Sequence, residues 1–586
     1  MTANNIYHKE IQRLSQLLDL AKNTQKKLIL GRLTSFILLV LSAYFLEGNT
    51  QWVFIFLFGG SFLYLIPKSI NNRFDLKDFH LQIELIQHEL MVLEGQWKDQ
   101  HDLEFLSDVH PYERDLDLFG KKSVFGLVNR ACTKMGRARV AQALKEGISN
   151  IALQRQAIFF LQDKIGWCFQ FLSHTQLGLM EEKDQENFRS FVQPNLTESW
   201  RKWVRMILPS LFFVVLTCYL LDYVSASILS LMIFINVIAI GVRQKQHTAL
   251  FSEVGAYYGR IRSMKKQIHL LQYELTKNQS VPAWLEANLK DINLFEQQVI
   301  LLEKIMRRMD YRMNLLVGTV LNLTLLWDYQ VAHQFQCWSE QHHDDLAKGE
   351  QLLVEWELWI SGALFQHNFS TATFADFHDG AEIKITDLRH PFVHFTKSVP
   401  NDFRLSQTQK IAIITGPNMA GKSTFLRGVG ITFVLANAGF PVLASSAFIP
   451  KMRLYSSMRT QDDVNQESSY FHAELNRLRY IVDAMESGEL VFFLMDEILK
   501  GTNSKDKEEG SKLLLKKIIE LNTKGILATH DLKVCEIVHE DSRFVNHYFD
   551  STIEKNELFF DYKIRPGVCQ NMNASFLLQK MRLVKN

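Results

Sequence analysis

The chain has 586 residues, too many for one hydrophobic core, so several domains are expected. Its 65 Lys and Arg against 63 Asp and Glu leave a net charge of +2. Bulk charge therefore does not mark a nucleic-acid binder, and any such contact must come from local basic patches. The six cysteines (Cys132, Cys168, Cys218, Cys337, Cys535 and Cys569) form no C-x-x-C pair. That argues against a structural zinc site or a disulfide framework and suits a reducing compartment.

No cleavable signal peptide is evident. Ile6–Leu30 reads as a mixed polar and apolar helix, and the apolar run after it has no small-residue cleavage site. Leu33–Leu46 and Trp52–Ile66 carry no charge and are joined by the short link Glu47–Gln51. Lys22, Lys26, Lys27 and Arg32 flank one side, Lys68 and Arg73 the other. By the positive-inside rule this reads as a membrane hairpin with both ends in the cytoplasm. A second hairpin, Met206–Leu221 and Val224–Val242, is flanked by Arg201, Lys202, Arg205, Arg243 and Lys245. The competing reading is two apolar helix pairs buried in a soluble core. Asn314–Trp327 is a shorter apolar run with Asn322 and Thr324 in it, and it reads as a core helix.

The stretches between are helical in pattern, with interspersed charge and little Gly or Pro. The expected organisation is an N-terminal helix at 1–27, a hairpin at 28–67 and a helical domain at 68–200. A second hairpin at 201–245, a helical lever at 246–369 and a nucleotide domain at 370–586 follow. The fold class is thus mixed: helical domains and two transmembrane hairpins joined to an α/β P-loop domain. Two basic stretches, Arg260/Arg262/Lys265/Lys266 and Lys304/Arg307/Arg308/Arg312, could bind phosphates without reading sequence, or serve only as solvated or lipid-facing helix faces.

The chemistry concentrates in Lys410–Thr424, KIAIITGPNMAGKST. Ile411–Thr415 reads as a buried parallel strand. Gly416, Pro417, Asn418, Met419, Ala420, Gly421, Lys422 and Ser423 fit G-x-x-x-x-G-K-[ST] at every fixed position, with Thr424 opening a helix. Backbone N–H groups would cradle phosphate, Lys422 would reach the β/γ-phosphates of ATP, and Ser423 would ligate Mg²⁺. Leu490–Met495 is a second apolar strand ending in Asp496 and Glu497. Asp496 would hold Mg²⁺ through water, and Glu497 would orient and deprotonate the attacking water. Gly525–Thr529 is a third strand, capped by His530, which is placed to sense the γ-phosphate.

These motifs, TGPNMAGKST, LMDEILKGTNS and LATHD in that order, resemble the ATPase domain of the MutS family of mismatch-repair proteins. So do the stretch Asp462–Glu474, the turns Leu388–Pro391 and Pro400–Asp402, and, less fully, Lys121–Leu144. The resemblance implies an ATP-hydrolysing homodimer in which Ser469 touches the γ-phosphate in trans and Gly501–Asn503 line the interface. It also implies DNA as a partner, in a mismatch-repair-like process. The tail, Tyr562–Gly567 with Asn573–Val584, is similar to the family's C-terminal helical dimer contact.

There are departures. Ala420 replaces a glycine, and Glu467 stands where a small residue is usual. Phe45-Leu-Glu47 mimics the family's mismatch-reading Phe-x-Glu only by coincidence, at the mouth of a hairpin. The expectation is a variant lacking the mismatch-recognition domain, multi-pass in the inner membrane with its ATPase domain in the cytoplasm. The rival expectation is an ATP-driven membrane machine or transporter that does not act on DNA.

Overall fold

Two very long helices open the chain, α1 (Ala3–Phe45) and α2 (Asn49–Leu93), separated by a turn at Gly48 with φ of 69°. The structure, a computed structural model, describes residues 3–96, 102–107, 109–180, 201–277, 283–313, 315–394, 396–458, 470–554 and 557–570. The pair runs antiparallel, and its register is held by small polar contacts. Ser35 and Ser61 share a hydrogen bond of 3.2 Å, Gln25 Nε2 donates to Ser69 Oγ at 3.1 Å, and Asn72 Nδ2 donates to Ala21 O at 2.9 Å. α1 passes without a break through the boundary expected at residues 27 and 28. The uncharged parts of both helices present Phe36, Val40, Val53 and Phe56 outward. Their polar ends instead bury Tyr7, Leu14, Ile86 and Val92 in the helical core.

That core is built from α3 (Val124–Val128), α4 (Lys134–Glu146), α5 (Ile151–Leu161) and α6 (Ile165–Met180). The next helices are α7 (Arg201–Leu220), α8 (Ala226–Ala256), α9 (Tyr258–Lys277), α10 (Ala283–Asp310), α11 (Leu315–Leu325) and α12 (Trp327–Asn368). Thr133 caps α4 by accepting from Gly136 N, and Asn150 caps α5 by accepting from Leu153 N. A buried polar chain joins α1 and α2 to the end of α12. Tyr7 Oη donates to Asn368 Oδ1 at 2.7 Å, Asn368 Nδ2 donates to Glu89 Oε2 at 2.6 Å, and Glu89 pairs with the Arg130 guanidinium. Removing either Glu89 or Arg130 would strand the other's buried charge, which costs about 3–5 kcal/mol.

Three described helices, α1, α2 and α8, are long and apolar enough to cross a membrane, and only 11%, 6% and 17% of their most apolar windows is buried. The described fold does not bury these three windows in its own core. Val204–Leu220, within α7, is a shorter apolar helix and contains Pro209. The run Asn314–Trp327 also departs from expectation. It breaks at Leu326, whose φ is 50°, and α11 exposes 42% of Val317 and 60% of Val320, so it is not a core helix.

α12 leads into the C-terminal sheets. β1 (Asp376–His378), β2 (Ile383–Leu388), β3 (Asn401–Leu405) and β5 (Ser446–Pro450) form one, in the order β1-β5-β2-β3. The larger sheet holds β4 (Ile411–Thr415), β6 (Arg453–Ser457), β7 (Val491–Asp496), β8 (Thr523–Ala528), β9 (Phe544–Phe549) and β12 (Ile564–Pro566). Its order is β12-β9-β4-β8-β7-β6, parallel except for β12. β10 (Thr552–Glu554) and β11 (Glu557–Phe559) pair separately. Every residue of β4 is buried, as a central parallel strand covered on both faces requires. Helix α13 (Lys422–Asn437) covers one face, where Phe433 stacks on Phe492 at 4.2 Å. α14 (Tyr470–Glu486) and α15 (Ser504–Ile519) cover a second apolar cluster that includes Ile481, Phe493 and Leu515.

Candidate functional site

In an open parallel sheet the carboxyl ends of the strands form the natural crevice. Here β4, β7 and β8 end side by side, and each is followed by a chemistry-bearing residue. After Thr415 the chain turns at Gly416, with φ of 148°; a Cβ there would lie 2.6 Å from Phe549 O. Gly421, with φ of 107°, heads α13. Only glycine takes these two positions without strain. Between them Pro417 and Asn418 lead to Met419, which carries a left-handed φ of 69° and is largely exposed, and to Ala420, which is buried.

Lys422 is buried, and its Nζ donates to Gly416 O at 2.8 Å and Pro417 O at 3.0 Å, with His530 Nε2 at 3.2 Å. Burial lowers its pKa, and the nearby Asp496 and Glu497 carboxylates oppose that shift. Ser423 Oγ donates to Asp496 Oδ2 at 2.5 Å. His530 Nε2 lies 2.9 Å from Glu497 Oε1. That hydrogen bond outweighs burial and holds the Glu497 carboxyl down to about 2. Glu497 and Leu499 carry φ of 54° and 58°, a strained turn of the kind that concentrates at functional sites.

Asn418, Met419, Gly421, Lys422, Ser423, Thr424, Asp496, Glu497 and His530 all line one cavity of about 720 Å³. The residues fit a nucleotide and its metal. The loop and the Lys422 ammonium could hold phosphate at a helix N-terminus, and the Ser423–Asp496 pair could hold a divalent cation. Ser469 and the rest of 459–469 lie outside the described residues, as does Asn573–Val584. Gly501 packs close to Phe471 at the start of α14, and Lys500 N donates to buried Glu474 Oε2 at 3.0 Å.

Several lining residues had no role assigned from sequence. Asn401 Nδ2 donates to Tyr562 O at 2.9 Å, and Ile564 N donates to Asn401 Oδ1 at 2.8 Å. The tail is thereby drawn over the cavity, with Tyr562 as part of its wall. Tyr562 is thus cavity wall, and Ile564–Pro566 is the edge strand of the larger sheet. Half-buried His390 also lines the cavity, and its pKa is pushed down to about 4 by desolvation, then by Arg427 and Lys122. Their sequence signal was their place in the turns Leu388–Pro391 and Pro400–Asp402 and the tail Tyr562–Gly567, which carry part of the resemblance.

Most residues of the two basic stretches meet internal partners. Arg260 pairs with Glu350, Lys265 with Glu303 at 2.7 Å, and Lys266 lies 3.1 Å over the Phe74 ring. Arg262 donates to Asn71 Oδ1 at 3.1 Å. Arg307 pairs with Glu303 at 3.2 Å, Arg308 donates to Gln334 Oε1 at 2.5 Å, and Arg312 pairs with Asp328 at 3.2 Å. Three carboxylates, Glu350, Glu303 and Asp328, thus offset part of the charge that a phosphate backbone would meet.

The family description MutS domain V matches residues 412–584. The DNA mismatch repair protein MutS of Natronomonas pharaonis is 33% identical over 196 residues, covering 33% of this chain and 23% of that protein. The same-named protein of Thermotoga sp. (strain RQ2) is 31% identical over 228 residues, 38% of this chain and 27% of its own. That of Fervidobacterium nodosum is 26% identical over 324 residues, 54% of this chain and 36% of its own. The chain thus spans about a quarter to a third of the length of these relatives. Over residues 412–584 the chain is thus similar to MutS domain V and to the MutS-named relatives.

Proposed function

We propose that the chain is a membrane-anchored, Mg²⁺-dependent P-loop ATPase that works as a homodimer in a mismatch-repair-like process on DNA. The observation that carries the ATPase reading is the meeting of Lys422, Ser423, Asp496, Glu497 and His530, from three strand ends, round one cavity. Lys422 offsets phosphate charge, and the loop from Gly416 to Thr424 holds the β/γ-phosphates. Ser423 and Asp496 hold Mg²⁺, which when bound neutralises phosphate charge and orients the transferred group. Glu497, ionised at neutral pH, accepts the proton of the attacking water. His530 orients Glu497 and reads the γ-phosphate. Ser469 of the partner subunit completes the phosphate shell. Anchorage through two apolar helix pairs, with both flanks in the cytoplasm, is supported by their exposed uncharged faces and basic ends.

A second reading, an ATP-driven membrane machine that does not touch DNA, is favoured by the pairing of Arg260, Lys265, Arg307 and Arg312 with internal acids. Phosphate release by detergent-solubilised protein separates the two. Heteroduplex or branched DNA should stimulate turnover in a salt-sensitive way beyond perfect duplex. No stimulation and no salt-sensitive binding by any DNA would reject the repair reading and keep the machine.

A further inference from the structure

The apolar helix α11 was not among the membrane segments expected from sequence, yet its surroundings match them. It packs against both α7 and α8. Asn236 Nδ2 of α8 donates to Leu323 O of α11 at 2.6 Å. Roughly 10 Å of helix, at about 1.5 Å per residue, separates Asn236 from Arg243, the first basic residue beyond the apolar stretch. The end of α11 therefore lies within the uncharged layer of α8. Its residues Val317 and Val320 are exposed, as are Ile235 and Ile238 of α8 and Leu211 of α7, the helices it packs against.

The polar groups of α11 close on themselves, as a hydrocarbon surrounding demands. Thr324 Oγ1 donates to Val320 O at 2.8 Å. Asn322 Nδ2 donates to Asp328 Oδ1 at 3.1 Å, and Asp328 N donates to Asn322 Oδ1 at 2.9 Å. The charged residues before and after the helix, Arg312 and Asp328, pair at 3.2 Å. The rings of Tyr311 and Trp327, which flank the helix, lie 6.1 Å apart.

We propose that α11 is a third membrane element of this unit, embedded in the cytoplasmic half of the bilayer with Val317 and Val320 against lipid acyl chains. The proposal rests on the membrane reading of α8. Through Leu326 it joins the bilayer directly to α12, the helix that leads to the nucleotide sheet. Spin labels test it in full-length protein in lipid nanodiscs, in a background with Cys132, Cys218 and Cys337 replaced. Labels at Val320→Cys, Ile238→Cys (α8) and Lys304→Cys (α10) are compared by power saturation with oxygen and with the water-soluble nickel chelate NiEDDA.

The Val320 label should match the Ile238 label, with an oxygen-to-nickel accessibility ratio severalfold above that at Lys304. A Val320 label as open to nickel as Lys304, with Ile238 still protected, would overturn the proposal alone. Nickel access at both Val320 and Ile238 would overturn the membrane reading of α8, and this proposal with it.

Discussion

Two kinds of uncharged run sit in this chain, and they meet opposite fates. Ile411–Thr415 and Val491–Met495 are wholly buried, whereas Leu33–Leu46 and Trp52–Ile66 leave Val40, Tyr44, Val53 and Phe56 on the surface. Apolarity alone does not separate them; length and backbone do. A short strand leaves its ladder groups to neighbours and must sit inside a sheet. A long helix satisfies its own backbone and can stand alone in lipid. The short runs position charges at their ends, and the long ones exclude charge along their length.

The sharpest contrast is catalytic. Glu497→Gln should keep ATP binding and lower turnover roughly 10²–10⁴-fold, the range of a lost general base, as read by phosphate release. Turnover at the wild-type level would remove Glu497 from that role. Within the sheet, Ile413→Asp should cost more than about 4 kcal/mol, because its charge enters a fully buried site without a partner. Thermal melting or loss of folded protein would show it.

The matching change on the long runs is Val40→Arg. In lipid it should oppose insertion by about 2.5–3.5 kcal/mol, whereas on a water-facing helix the effect would stay within about 0.5 kcal/mol. Membrane extraction of the variant distinguishes the two. The smallest effect concerns pH. His390 titrates near 6.5 when unfolded and at about 4 when folded, so the unfolded chain binds the extra proton between those values. Its contribution to stability is full above about pH 6.5 and is lost as pH falls towards 4, by at most about 3 kcal/mol. Melting curves should show this slope in the parent protein and a flatter one in His390→Asn.

Much of the nucleotide site could be read in the chain because its parts are local. A strand, a glycine turn, a lysine and a helix are contiguous from Ile411 to Asn437, and covalent geometry leaves them little choice of arrangement. Asp496, Glu497 and His530 were legible because each ends an apolar strand of the expected length. The exposed face of α11 was less legible, since the apolar run Asn314–Trp327 is short and contains Asn322 and Thr324.

The chain alone determined where phosphate chemistry and uncharged helices would lie, because both are written over short contiguous spans. Only the tertiary structure decided what the remaining charges and the tail do. Arg260 meets Glu350, and Arg312 meets Asp328. Asn401 holds Tyr562 over the cavity from 161 residues away. Such partners are chosen by packing across the fold, and an ion pair or hydrogen bond acts over a few ångströms whatever the distance along the sequence.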